Sequence, residues 1–350
     1  MSATAPLQWL ADRARILDQT RLPHVTATVD LRSLDEVAQA ITQMWVRGAP
    51  LIGATAACGV ALAMRADASD AALDKALARL RATRPTAVNL HWALDRMARM
   101  LQPVAPAERA EAARRETQAI MDEDTAMNAR IGAHGLPLLR AIAQARGGRV
   151  RLMTHCNAGW LATVGHGTAL SPVYAAHAEG IDVSVWVSET RPRNQGLLTA
   201  WELAASGVPH TLIADNAAGL LMMRGEVDLV ITGADRVAAN GDSANKIGTY
   251  LKALAAQDQH IPFYIAAPMS TVDFTCPDGS AIPIEDRDGD EVRVIAGHDG
   301  HGQVGTVRIA PTTTAVRNPA FDVTPARLIT GIITEHGVCA PGALAGWQGA

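Results

Sequence analysis

Aromatic residues make up only 4% of this 350-residue chain, cysteines number four, and the charges nearly cancel. Each shortage removes a class of function. Few rings leave few platforms for stacking bases, and a formal net charge of -4 provides no global field for nucleic acid or acidic membranes. An anionic ligand would need a local cluster of basic residues. Cys58, Cys156, Cys276 and Cys339 form no CxxC pair, and their spacing fits neither a zinc site nor a dense disulfide framework. That usage suits a reducing cytosol. The charged stretch Met1 to His24 has no apolar signal core, so no signal peptide is expected. The longest apolar run, Leu51 to Met64, falls short of the ~20 residues a spanning helix needs and reads as a buried helix. No Walker motif is present and no GxGxxG turn follows a strand, which argues against a dinucleotide or nucleoside triphosphate held in the usual manner.

What is present is an ordinary globular balance, 48% hydrophobic and 19% charged, over a length that allows two domains. Up to about residue 145 the apolar spacing is mainly helical: Trp9 to Leu17, Leu34 to Val46, the Pro50-led apolar run, Ala71 to Ala82, Val88 to Leu101 and Glu108 to Gly132. One β-rich piece, His24 to Leu31, interrupts it. After Gly147-Gly148 come five short β-rich runs, Val150 to Thr154, Val183 to Val187, His210 to Ala214, Asp228 to Thr232 and Ile261 to Ala266. Helix-like segments separate them at Gly167 to Ala178, Leu197 to Ser206, Ala217 to Arg224 and Lys246 to Ala256. This alternation specifies an α/β protein: a mainly helical N-terminal domain over residues 1–145, then a Rossmann-like, doubly wound and mostly parallel sheet over 146–350. Pro325 to Thr334 reads as a final helix ended by Gly337. The Gly-rich piece Gly297 to Gly305 reads as a solvated, mobile insertion, which fits it better than a metal site built on His298, Asp299 and His301.

In an open α/β sheet, ligands bind beyond the carboxyl ends of the strands. Two such ends carry distinctive loops, Thr154-His155-Cys156-Asn157-Ala158-Gly159 and Thr232-Gly233-Ala234-Asp235-Arg236. Cys156 is either a small packing residue or, beside a helix start, an activated thiol. Asp235 is either a helix cap or a carboxyl directed into the cleft; Asp242 and Asn245 lie closer to the next helix and are the better caps. An apolar wall around Asp235 would let it keep a proton near neutrality. Three basic signals suit a phosphate: Arg47-Gly48-Ala49 before an apolar helix, Arg84 before Pro85, and Asn245-Lys246 at the expected start of another helix. Gln195, in the loop Glu189 to Gly196, can donate and accept as a sugar hydroxyl requires.

These motifs resemble the methylthioribose-1-phosphate isomerases of methionine salvage. The resemblance rests on Arg47-Gly48-Ala49-Pro50-Leu51-Ile52-Gly53, Thr83 to Leu90, Thr154 to Gly159, Glu189-Thr190-Arg191-Pro192, Gly233 to Arg236, Asn245 to Tyr250, and Asn318 to Pro325, in order along nearly the whole chain. The resemblance implies a cytoplasmic, homodimeric enzyme that needs no metal or cofactor and has no nucleic-acid or membrane partner. Its small-molecule partner is then a sugar phosphate, with Asp235 as proton donor and Cys156 as second acid–base group or transition-state stabiliser. Arg47, Gly48, Ala49, Arg84, Gln195, Asn245 and Lys246 hold the substrate. Two other readings share the superfamily, a ribose-1,5-bisphosphate isomerase and a non-catalytic, sugar-phosphate-sensing regulatory subunit.

Overall fold

The structure, a computed structural model, describes residues 5–10, 12–299 and 301–348. Strands β1 (Leu7–Trp9), β2 (Ala14–Leu17) and β3 (Thr28–Leu31) form an antiparallel sheet at the start. The helix expected over Trp9 to Leu17 is therefore replaced by two strands. Between them the Leu10 amide donates to the Arg13 carbonyl at 2.9 Å, Ala14 and Ile16 are buried, and Arg15 pairs with Asp30 of β3 at 2.7 Å. Side chains that alternate between core and ion pair follow the period of a strand.

Five helices follow: α1 (Leu34–Thr42), α2 (Ala49–Ala66), α3 (Asp70–Arg81), α4 (Val88–Leu101) and α5 (Pro106–Ala145). Ser33 and Glu36 close a capping box on α1, and Ser69 caps α3. The apolar α2 is the hub, packed by α1, α3, α4 and α5. Its small residues permit close approach, and it is a core helix. Helix α5 runs well past the expected end at Gly132. Ile120 and Met121 join the helical core around α2, whereas Ile131, Leu136 and Leu139 pack with the sheet strands.

The rest of the chain reads β4 (Arg149–Thr154), α6 (Ser171–Ala178), β5 (Asp182–Ser188), α7 (Gln195–Ala205), β6 (His210–Ile213), α8 (Ala217–Met223) and β7 (Leu229–Thr232). Then come β8 (Arg236–Ala238), β9 (Ser243–Lys246), α9 (Thr249–Asp258), β10 (Phe263–Ala266) and β11 (Val272–Asp273). Helix α10 (Asp290–Arg293) precedes β12 (Val294–His298), β13 (Val304–Arg308), β14 (Phe321–Thr324), β15 (Gly331–Thr334) and β16 (Gly337–Cys339).

The main sheet has the order β16-β15-β10-β7-β4-β5-β6, parallel throughout except for β16. All five β-rich runs of the sequence are strands of this sheet, and the α/β class stands. The chain winds outward from β4 through β5 to β6, then returns to the other side of β4 with β7. The crevice between β4 and β7 is thus the topological switch point, where such sheets bind ligands.

Further expectations need correction. Pro325 to Thr334 is a short turn followed by β15; Gly331 to Thr334 are all buried beside β10, a position that β-branched Ile332 and Ile333 suit. A second, four-stranded sheet, β11-β8-β9-β14, has no counterpart in the sequence reading and places Asn245 and Lys246 on a strand, not at a helix start. Asp242 and Asn245 accordingly do not cap α9, whose N-cap is Gly248; Asp242 instead accepts from the Gly279 and Ala326 amides. Of the expected Gly297 to Gly305 insertion, Gly297 and His298 end β12 and pair with Gly305 and Val304 of β13, so its two ends are strand and not irregular loop; Gly300 lies outside the described residues. There the Asp299 carboxylate accepts from the His301 and Gln303 amides, both at 2.8 Å. Among the described residues, no group of three His, Cys, Asp or Glu side chains is placed to hold a metal ion.

Candidate active site

Adjacent parallel strands deliver the two residues of greatest chemical interest. Cys156 follows the end of β4 and Asp235 follows the end of β7, with Leu152 paired to Leu229 and Met153 to Val230 between them. Both line one cavity of about 430 Å³. The same cavity is lined by Arg47, Gly48, Ala49, Arg84, Gln195, Asn245 and Lys246, so all nine site residues expected from the sequence converge.

Cys156 is 8% exposed and has a φ of 65°, left-handed for a residue with a side chain. Such a conformation costs about 1–3 kcal/mol and persists only where neighbours impose it. Here the Cys156 amide donates to Thr190 Oγ1 at 2.9 Å, and Thr199 Oγ1 donates to the Cys156 carbonyl at 2.8 Å. No helix begins at this loop; a short turn at Trp160–Ala162 follows, and α6 starts only at Ser171. The expected helix start beside the thiol is thus absent, and Arg47 supplies the positive charge, with Nη2 3.9 Å from Cys156 Sγ.

Arg47 is held by Asn157, and the neighbouring Gly48 forms the open N-terminus of α2 with no side-chain cap. Unsatisfied first-turn amides make that end favourable for an anion. Gly48 has a φ of 93°, and a Cβ there would sit 2.4 Å from the Ala162 carbonyl oxygen. Beneath the Cys156 loop lies the carboxyl of Glu202. It accepts from the Leu161 amide at 3.0 Å and fills the space a Gly159 Cβ would need. Burial raises Glu202 to about 7.

On the opposite wall, Lys246 is 5% exposed, donates to the Ala320 carbonyl at 3.0 Å and stands 4.2 Å from the centre of the Phe321 ring. Burial, then the nearby Arg287 guanidinium, bring its amine down to about 8. Burial and Arg287 likewise lower Arg84 from its ordinary value. Asp235 is half-buried, and both Arg84 and Lys246 feel its negative charge. Arg84 and Lys246 therefore share the cavity with Asp235. Asn245 is held by Thr249 Oγ1 at 3.0 Å, and Gln195 opens α7 with a buried Oε1 that has no partner among the described residues. An unpartnered buried oxygen at a cavity wall suits a ligand hydroxyl.

Sequence reasoning missed Arg287 and Phe321. Both line the cavity, and Arg287 stacks on the Phe321 ring at 5.4 Å while pairing with Glu285 at 3.1 Å. Phe321 was present in the motif Asn318 to Pro325, but nothing local marked it as a rest for two cations. Behind the Cys156 loop lies a buried, neutral imidazole. His155 Nε2 contacts the Ile247 carbonyl at 2.8 Å, and burial, then Lys252, keep its imidazole well below the usual range.

A mostly parallel open sheet, a mainly helical N-terminal part and a cavity of about 430 Å³ lined by Arg47, Arg84 and Lys246 at the switch point define a class. Residues 45–341 match the Initiation factor 2 subunit family. Within it, the chain belongs to the methylthioribose-1-phosphate isomerase family. It is 64% identical over 324 residues to a methylthioribose-1-phosphate isomerase of Dechloromonas aromatica (strain RCB), covering 93% of this chain and 90% of that protein. The fold superposes on the crystal structure of 5-methylthioribose 1-phosphate isomerase from Pyrococcus horikoshii OT3 with a TM-score of 0.86 and 40% identity, over 99% of this chain and 96% of that one. It also matches a translation initiation factor eIF-2B, subunit delta, from A. fulgidus, with a TM-score of 0.81 and 38% identity over 98% of both chains.

Proposed function

We propose that this protein is an aldose–ketose isomerase that converts 5-methylthio-α-D-ribose 1-phosphate to 5-methylthio-D-ribulose 1-phosphate in methionine salvage. The observation that carries the reading is the meeting of Cys156 and Asp235, from adjacent strand ends, in one cavity with Arg47, Arg84 and Lys246.

The substrate dictates what the site must do. Its phosphate blocks the anomeric oxygen, so the ring cannot open as a free sugar does. Asp235 gives a proton to the ring oxygen, and the C1–O bond of the ring breaks while the phosphate stays attached. Cys156, as thiolate, removes the C2 proton to give an enol; its thiol, which exchanges with solvent, then gives a proton to C1 while the C2 hydroxyl passes its proton to the Asp235 carboxylate and becomes a carbonyl. Arg47, Arg84, Lys246 and the α2 N-terminus at Gly48 and Ala49 hold the phosphate. Gln195 and Asn245 hold sugar hydroxyls. The bound phosphate displaces water from the cleft.

The C5 group meets a different surface. Leu22, Pro23, Leu198, Val294 and Ile295 also line the cavity. Two further cations that line the cavity are already compensated, Arg193 by Glu291 at 2.8 Å and, beside Lys246, Arg287 by Glu285. An apolar methylthio group fits this wall better than the second phosphate of ribose 1,5-bisphosphate. The protein acts as a homodimer in the cytoplasm, a setting its four free cysteines suit. The test compares the two sugar phosphates on purified protein without added metal or nucleotide. A higher kcat/KM for the methylthio substrate is expected; preference for the bisphosphate overturns the C5 assignment, and binding without turnover of either overturns the enzyme.

A further inference from the structure

Cys156 holds its left-handed backbone through two hydroxyls from separate elements. Thr190, in the loop after β5, accepts the Cys156 amide proton at 2.9 Å. Thr199, one turn into α7, donates to the Cys156 carbonyl at 2.8 Å. Both threonines are fully buried.

The hydrogen-bond accounting is complete on each side. A threonine hydroxyl has one proton to give and two lone pairs to receive. Thr199 spends its proton on Cys156 and receives from Asn157 Nδ2 at 3.1 Å, while Asn157 Oδ1 receives from Arg47 Nη1. Thr190 has two acceptors for its proton, the Ser188 carbonyl at 2.9 Å and His155 Nδ1 at 3.4 Å, and either choice leaves its lone pairs for the Cys156 amide. The Thr190 backbone is itself left-handed at a φ of 66° and is fixed by Asp215, which accepts from the Thr190 and Arg191 amides, each at 2.8 Å, and from Ser188 Oγ. One chain of bonds thus runs from Arg47 through Asn157 and Thr199 to Cys156. A second runs from Asp215 through the Thr190 loop to the same residue.

We infer that Thr190 and Thr199 are positioning residues whose hydroxyls hold the Cys156 thiol in its reactive orientation. The inference rests on the reading of Cys156 as a catalytic group. Misplacing a catalytic group by about 1 Å costs about 100-fold in rate, whereas phosphate binding lies on other residues. Loss of either hydroxyl therefore lowers kcat and leaves KM near its wild-type value.

The experiment uses Thr190→Val, Thr199→Val, the corresponding serine variants and Cys156→Ala. Circular dichroism checks folding; steady-state kinetics and the rate and pH midpoint of iodoacetamide alkylation at Cys156, read by peptide mass spectrometry, report function. The valine variants should lose about 100-fold in kcat with little change in KM and should alkylate Cys156 at an altered rate and midpoint. The serine variants, which keep the hydroxyl, should recover most of kcat and the wild-type alkylation profile. If a valine variant does not fold, alanine replaces it, so that serine against alanine still isolates the hydroxyl. Unchanged kcat and alkylation in the hydroxyl-free variants overturns the inference, as does a serine variant as impaired as its hydroxyl-free partner. An active Cys156→Ala sinks the catalytic reading of Cys156 itself, a distinct result.

Discussion

Arg47 and Asn157, 110 positions apart, are joined twice: Arg47 Nη1 donates to Asn157 Oδ1 at 2.5 Å, and Nη2 to the Asn157 carbonyl at 2.8 Å. The helical half of the chain thereby grips the loop that presents Cys156. Arg47→Lys keeps the charge but cannot make the fork. It should lower kcat/KM by about 10- to 100-fold with a normal unfolding midpoint. Wild-type kinetics in Arg47→Lys would show that only the charge is needed.

Lys246 gives the site an alkaline limit. Its amine is brought down to about 8 by burial, and only the protonated form attracts phosphate. Because kcat/KM reports groups of the free enzyme, it should fall as pH rises through about 8. Lys246→Arg should move that limb to higher pH, even at reduced activity. Lys246→Ala should raise KM by about 10- to 100-fold, the worth of a charged hydrogen bond. An unchanged KM would remove Lys246 from phosphate contact.

Glu202 couples stability to pH beneath the Cys156 loop. Its folded pKa is raised from 4.5 to about 7, so the native state holds a proton that the unfolded chain has lost. The associated stability is complete below about 4.5 and disappears as pH rises through about 7, a contribution of about 3 kcal/mol. Glu202→Gln removes the titration. Its Tm should vary less than wild type between pH 5 and pH 8. Parallel Tm curves for the two proteins would contradict the assignment.

Gly48 can be separated from glycines that are merely left-handed. At Gly48 both the φ of 93° and a Cβ 2.4 Å from the Ala162 carbonyl oppose a side chain, whereas at Gly147 the φ is 72° and nothing lies within 4 Å. Gly48→Ala should cost about 3 kcal/mol and most of the activity, and Gly147→Ala about 1 kcal/mol and none. Equal losses in chemical denaturation would mean that the close approach to Ala162 is relieved at no cost.

The parts legible in the sequence are those with a strong local signal. Runs such as Val150 to Thr154 and Asp228 to Thr232 are buried parallel strands, and their loops held the two reactive residues where open sheets hold ligands. Misreadings arose where two local signals agree with the wrong element. Thr324-Pro325 imitates a helix cap and first turn, yet Ile332 and Ile333 are claimed by β10 across the sheet. Trp9 to Leu17 has apolar residues at helical spacing, but pairing with Thr28–Leu31 decides its form. Lys246 was legible as a site residue and not as a strand residue, because its partner, Phe321, lies far along the chain. The pairing of Arg287 with Glu285 and its stacking on Phe321 leave no periodic trace at all.

The most direct measurement follows methylthioribose 1-phosphate by NMR in deuterated buffer with wild type, Asp235→Asn and Cys156→Ala. Wild type should form the 1-phosphoketose with solvent deuterium at C1, and both variants should fold normally while losing about 100-fold or more in rate. An Asp235→Asn protein that turns over at the wild-type rate, or a wild-type protein that leaves the sugar phosphate unchanged, would contradict the account.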